Sequence, residues 1–91
     1  MALRLVIRGV VQGVGMRPFI HRLAHKHGLA GTVANSARGV VVEVEGRPES
    51  VAAFERRLTE EPPPLARVDR VSRETIPPLG LRWHGLSPGN E

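Results

Sequence analysis

Residues 3–28 read LRLVIRGVVQGVGMRPFIHRLAHKHG, and the change of period inside this stretch decides the fold. Leu3, Leu5 and Ile7 alternate with Arg4, Val6 and Arg8, the period-two pattern of a strand with one buried face. Ten residues later the period becomes helical. Phe19, Ile20, Leu23 and Ala24 form an apolar stripe, with His21, Arg22, His25 and Lys26 on the wet side. Pro18 suits a first helical turn, where its missing N–H costs nothing. Gly28 suits a left-handed helix end, followed by Leu29 for the apolar contact that often accompanies one. Between strand and helix lies GVVQGVGMRPF, residues 9–19, with glycines at 9, 13 and 15 and an arginine at the helix entrance.

Working outward, residues 31–37 (GTVANSA) read as a short strand entering a turn. Arg38-Gly39 supplies the reversal, and Val40–Glu45 (VVVEVE) is the clearest strand of the chain. Val40, Val42 and Val44 share one face; Val41, Glu43 and Glu45 share the other. That second face is acidic where the first strand's is basic, which predicts cross-strand charge pairs. Pro48 opens a second helix with Glu49 near its positive end, and Val51, Phe54 and Leu58 form its apolar face. The EPPPLA run stops that helix because proline cannot continue it. Another strand is expected within residues 65–74, with Val68 and Val71 its main apolar residues. Leu79, Leu81 and Trp83 alternate again as a last strand. Residues 85–91 read as a frayed end or a linker.

Two helices each need an apolar sheet face, and one sheet face here is largely charged. An α+β ferredoxin-like βαββαβ sandwich satisfies both, with an antiparallel sheet, both helices on one side, and room for an extra short C-terminal strand. Ninety-one residues suffice for a single domain, residues 1–91, with one modest core.

Composition narrows the function classes. The formal net charge is +4, and Lys26 is the only lysine beside twelve arginines. The arginines are interleaved with glutamates, and Phe19, Phe54 and Trp83 are the only aromatics, so a base-stacking surface is poorly supplied and no nucleic-acid partner is expected. No apolar run is long enough to span a bilayer, and the first nine residues alternate rather than forming a signal-peptide core. Without cysteine there is neither a disulfide framework nor a thiolate metal site, in keeping with a cytoplasmic setting. His21 and His25 stand four apart on a helix, but no third ligand completes a site, so no metal is expected.

Chemistry concentrates in the glycine loop. Amides opening a helix have no partner within it, and the helix dipole favours negative charge there. Glycines permit the dihedrals that turn successive N–H groups into an anion nest. Arg17 adds a planar fork suited to two phosphate oxygens. Read alone, these residues describe a tight connection as well as they describe an anion cradle. They match neither the dinucleotide fingerprint nor a Walker loop.

The longer pattern is more specific. GVVQGVGMRPF followed by AHKHGLAGTVANSARGVVVEVEG resembles the acylphosphatase family, whose signature is a Val-Gln-Gly-Val-x-x-Arg loop and then Gly-Leu-x-Gly-x-Val-x-Asn. The resemblance runs from about Leu3 to Trp83 in the same element order. Within the family, GVGMRPF and PPPLARVD are most similar to the N-terminal acylphosphatase-like domain of the carbamoyltransferase hydrogenase maturation protein. A domain covalently continuous with others and a stand-alone enzyme both stay open.

The resemblance implies metal-independent and cofactor-free hydrolysis of the carboxyl–phosphate bond of a small acyl phosphate, with carbamoyl phosphate a candidate, by a monomer. Arg17 and the loop Gly13, Val14, Gly15, Met16 and Arg17 are expected to hold the phosphate. Asn35 is expected to orient the attacking water. The alternative is a module that binds phosphate or carbamoyl phosphate without turnover inside a larger maturation protein. Three departures stand out. Met16 replaces the usual phenylalanine, Thr32 a frequent tryptophan, and Arg38 a frequent aspartate before the hairpin glycine.

Overall fold

The computed structural model describes residues 1–78 and the backbone of residues 86–88. The chain runs β1 (Ala2–Val10), α1 (Met16–Lys26), β2 (Ala30–Ser36), β3 (Gly39–Glu45), α2 (Pro48–Glu60), β4 (Arg67–Ile76) and β5 (Leu86–Pro88). The sheet order is β4-β1-β3-β2-β5. Strand β1 lies antiparallel to both β3 and β4, β2 is antiparallel to β3, and β5 is parallel to β2. This is the expected ferredoxin-like βαββαβ arrangement with a short additional strand.

The alternations seen in sequence set the register. Leu3, Leu5 and Ile7 stand opposite Val44, Val42 and Val40. All six are buried, on the face against which both helices pack. Helix α1 contributes Met16, Ile20, Leu23 and Ala24, and α2 contributes Val51, Phe54 and Leu58. The stripe on α1 therefore starts one turn earlier than expected. Met16 is 1% exposed, whereas Phe19 is only half-buried and packs on the edge of the core. Pro18 occupies the first turn but is the third helical residue.

Helix ends follow local chemistry. Gly28 has φ 70°, its N–H reaches the His25 carbonyl, and the N–H of Leu29 reaches the Ala24 carbonyl. Together these satisfy the last carbonyls of α1 in a Schellman arrangement, with Leu29 fully buried behind it. At the start of α2, Arg47 is extended (φ −66°, ψ 143°), as the residue before a proline prefers, and Pro48 takes the first helical position.

On the helix-free face, Arg4 Nε donates to Glu43 at 2.8 Å, and Arg4 Nη1 donates to Glu74 at 3.2 Å. This is the predicted pairing of a basic strand with an acidic one. Both acceptors hold the Arg4 proton more firmly, Glu43 foremost. The pair is solvated and adds little stability. The fourth strand lies two residues further along than expected, at Arg67–Ile76. The alternation at Leu79, Leu81 and Trp83 lies outside the described residues. Three residues of the supposed frayed end, Leu86–Pro88, instead pair with β2 from Gly31 to Val33, because that strand offers an open edge for backbone hydrogen bonds.

Candidate active site

Strand β1 ends at Val10, Val11 turns into the core at 3% exposure, and Gln12–Gly15 carry the chain to α1. Gly13 (φ 75°) and Gly15 (φ 84°, ψ 14°) are both left-handed. A Cβ at either would meet nothing within 4 Å. Glycine is therefore required by the dihedral and not by space, since an L side chain in that region costs about 1–2 kcal/mol.

Gly15 is the N-cap of α1 and has no side chain with which to cap it. The Phe19 N–H closes the first turn on the Gly15 carbonyl at 3.1 Å. Among the described residues, the amides of Gly13, Val14, Gly15, Met16 and Arg17 have no hydrogen-bond partner. The first turn also contains no acidic residue. The positive end of the helix is thus left uncompensated, and Arg17 adds a full charge to it.

Seven residues line a small open cavity of about 140 Å³ at this point: Val11, Gly13, Gly15, Met16, Arg17, Pro18 and Asn35. That volume suits a small oxyanion, well short of the roughly 300–1,000 Å³ of a drug-sized pocket. Among the described residues, no carboxylate lines it. Asn35 arrives from β2, where it stands opposite Val40, placing it on the helix side of the sheet and at its loop end. Arg17 and Asn35, eighteen positions apart in sequence, therefore share one pocket.

The five residues expected in the loop divide into three kinds. Gly13, Gly15 and Arg17 line the cavity directly. Met16 lines it too, but its side chain is buried among core residues, so its backbone is what it can offer an anion. Val14 is absent from the lining and packs half-buried against the core.

Gln12 was not singled out by sequence reasoning, yet it shapes the pocket. Its Nε2 donates to the Ser36 carbonyl at 2.9 Å, tying the loop to the residue after Asn35. Its place inside the VQG run was the available sign, but a bond to a backbone carbonyl leaves no sequence pattern of its own. His21 and His25 are both exposed on α1. Among the described residues, no three His, Asp or Glu side chains gather into a metal-binding group, and no helix is long and apolar enough to cross a membrane.

Comparison with known proteins gives the chain its relatives. A family model described as Acylphosphatase matches residues 3–82. The chain is 49% identical over 72 residues to Carbamoyltransferase HypF2 of Cupriavidus necator, covering 79% of this chain and 9% of that protein. It superposes on the crystal structure of full-length HypF in its phosphate- and nucleotide-bound form with a TM-score of 0.88 and 34% identity, covering 98% of this chain and 12% of that one. It also superposes on the crystal structure of an acylphosphatase from Bacillus subtilis with a TM-score of 0.85 and 31% identity, covering 96% of each chain. The chain thus spans about a tenth of the length of the carbamoyltransferases it matches and nearly the whole of a stand-alone acylphosphatase.

Proposed function

Because the chain belongs to the acylphosphatase family, we propose that it hydrolyses the carboxyl–phosphate bond of a small acyl phosphate. One observation carries the reading. Arg17, Asn35 and the backbone of Gly13, Gly15 and Met16 face a single pocket, beside amides that have no acceptor among the described residues.

In this reading the phosphoryl oxygens rest on the Arg17 fork and the loop amides, which stabilise charge as it spreads over the transferring group. The Asn35 side chain holds a water against the phosphorus. The water oxygen forms the new P–O bond as the bond to the acyl oxygen breaks, and the water's protons pass to the phosphate product. The carboxylate departs unprotonated, because its conjugate acid ionises near pH 4. No general acid, metal or cofactor is called for. A neutral asparagine can position water without repelling the anion, as a carboxylate would. Gln12 keeps the loop and Asn35 in register.

Carbamoyl phosphate is the substrate to which the similarity with the carbamoyltransferases points. Release of phosphate from acetyl, benzoyl and carbamoyl phosphate, measured in the presence of a chelator, tests the reading. Hydrolysis is expected for the wild-type chain and is expected to be lost in Arg17→Ala. Asn35→Ala is expected to lower kcat more than it raises KM. Equal rates in all three chains would sink the assignment.

The same similarity favours a second reading, in which the domain binds carbamoyl phosphate and hands it on within a larger protein. Saturable, Arg17-dependent binding without phosphate release distinguishes it from hydrolysis.

A further inference from the structure

The helix-free face of the sheet carries charge toward both ends of β1, with Val6, Val41 and Ser72 between, and its two ends are balanced differently. At one end Arg4 lies between Glu43 and Glu74. At the other, Arg8 on β1 stands directly opposite Arg70 on β4, a like-charge cross-strand pair that is unfavourable unless something screens it. Arg38 joins Arg8 there from the turn between β2 and β3. Among the described residues, none of these three has a carboxylate partner, whereas Arg4, Arg67 and Arg73 all do.

Arg8 and Arg38 line an open cavity of about 360 Å³, together with Gly9, Gln12, Ala37 and Gly39 among others. Among the described residues, neither an acidic nor an aromatic side chain lines it. The cavity is larger than the pocket at Arg17 and shares only Val11 with it. The hydrogen bond from Gln12 to the Ser36 carbonyl fixes the segment near which the two cavities meet.

We propose that Arg8 and Arg38, backed by Arg70, form a second anion site on the helix-free face, which takes a small molecule bearing more than one phosphate group. Three observations converge on that class. Guanidinium forks match phosphate oxygens, and two of them share one concavity. A counter-anion would relieve the like-charge Arg8–Arg70 pair. The volume exceeds that of a single oxyanion pocket, while no aromatic wall among the described residues offers the stacking platform that a nucleobase would use. Arg38 also borders the neighbouring cavity beside Arg4 and Glu74, so its charge is shared between the screened and unscreened ends of the face. The site stands whether or not the Arg17 pocket turns substrate over.

Inorganic pyrophosphate titrated into the isotope-labelled chain at low ionic strength tests this by amide NMR. The expected result is two separable saturations, one at Gly13 and Gly15 and one at Gly9 and Gly39. Arg17→Ala should remove only the first. The double variant R8A/R38A should weaken only the second, by about tenfold or more, as expected for losing paired charge contacts. All three side chains are exposed, so the variants are expected to fold. The proposal is overturned if Gly9 and Gly39 do not respond, if their response survives in the double variant, or if it disappears with Arg17→Ala.

Discussion

The two helices among the described residues each follow a strand through a glycine-bearing connection, and their entrances are built on opposite plans. Helix α2 enters through an extended Arg47 and Pro48, with Glu49 in its first turn to meet the positive end of the dipole. Helix α1 enters through a left-handed Gly15, with no acidic residue in its first turn and with Arg17 there instead. The first plan completes the helix from within. The second leaves amides and a cation waiting for an anion from outside, at some expense in stability. A connection that serves only to connect can look after its own charge, whereas one that binds must leave its charge open.

Substitutions at the two entrances test this contrast. The largest effect is expected for Arg17→Ala, which should lower acyl phosphate hydrolysis by roughly 100- to 1,000-fold, the usual consequence of losing one charge-stabilising donor. Its melting temperature should stay close to wild type, since Arg17 is exposed and makes no ion pair among the described residues. A matching loss of stability would show that α1 relies on Arg17 structurally.

Gly15→Ala comes next. With nothing to clash against, its expected cost is the left-handed dihedral alone, about 1–2 kcal/mol in chemical denaturation, accompanied by weaker phosphate binding. Glu49→Gln should cost only about 0.3–1 kcal/mol and leave hydrolysis untouched. If the Glu49 variant altered activity, the division of labour between the two entrances would not hold.

The smallest effect lies at the far end of α1, where His27 is the C-cap. A helix C-terminus normally welcomes positive charge, yet the His27 pKa is lowered from its usual 6.5. Burial is the first cause, and Arg57, Lys26 and Arg56 add to it. Its Nε2 is covered and finds no partner among the described residues. The unfolded chain therefore takes up a proton that the folded chain resists. The contribution of His27 to stability is complete above pH 6.5 and declines as the pH falls through the lowered folded value. His27→Gln should flatten the fall in unfolding free energy over that acidic window. An unchanged pH profile would mean that His27 charges equally easily in both states.

The periodicities that made the fold legible belong to single elements. Leu3, Leu5 and Ile7 announce their strand because every second residue meets the core, and Val40, Val42 and Val44 do the same. Ile20, Leu23 and Ala24 of the expected α1 stripe are buried and Pro18 lies in the first turn, but the left-handed Gly15 starts the helix at Met16 and adds that residue to the stripe. Counted from Met16, the spacing to Ile20, Leu23 and Ala24 is regular, and Phe19 falls to its margin.

The candidate site was legible in a different way. Nothing local joins Arg17 to Asn35, which meet because the helical crossover makes β2 run parallel to β1 toward the loop end of the sheet. Only resemblance to a family carried that pairing. The opposition of Arg8 and Arg70 could not be read at all, since it depends on a register that shifts at Arg8/Gly9, between strands some sixty residues apart.

The position of β1 in the sheet has a consequence in time as well as in space. It is flanked on both sides, by β4 and by β3, while the margins of the sheet fall to β4 and β5. Local unfolding begins where elements have the fewest neighbours. Amide exchange should therefore be fast at the charged outer edge of β4 and slow through Leu3–Ile7. The loop that bears Arg17 hangs from one of the interior strands of the sheet, so the anion pocket should outlast the fluctuations that peel the outer edge of β4.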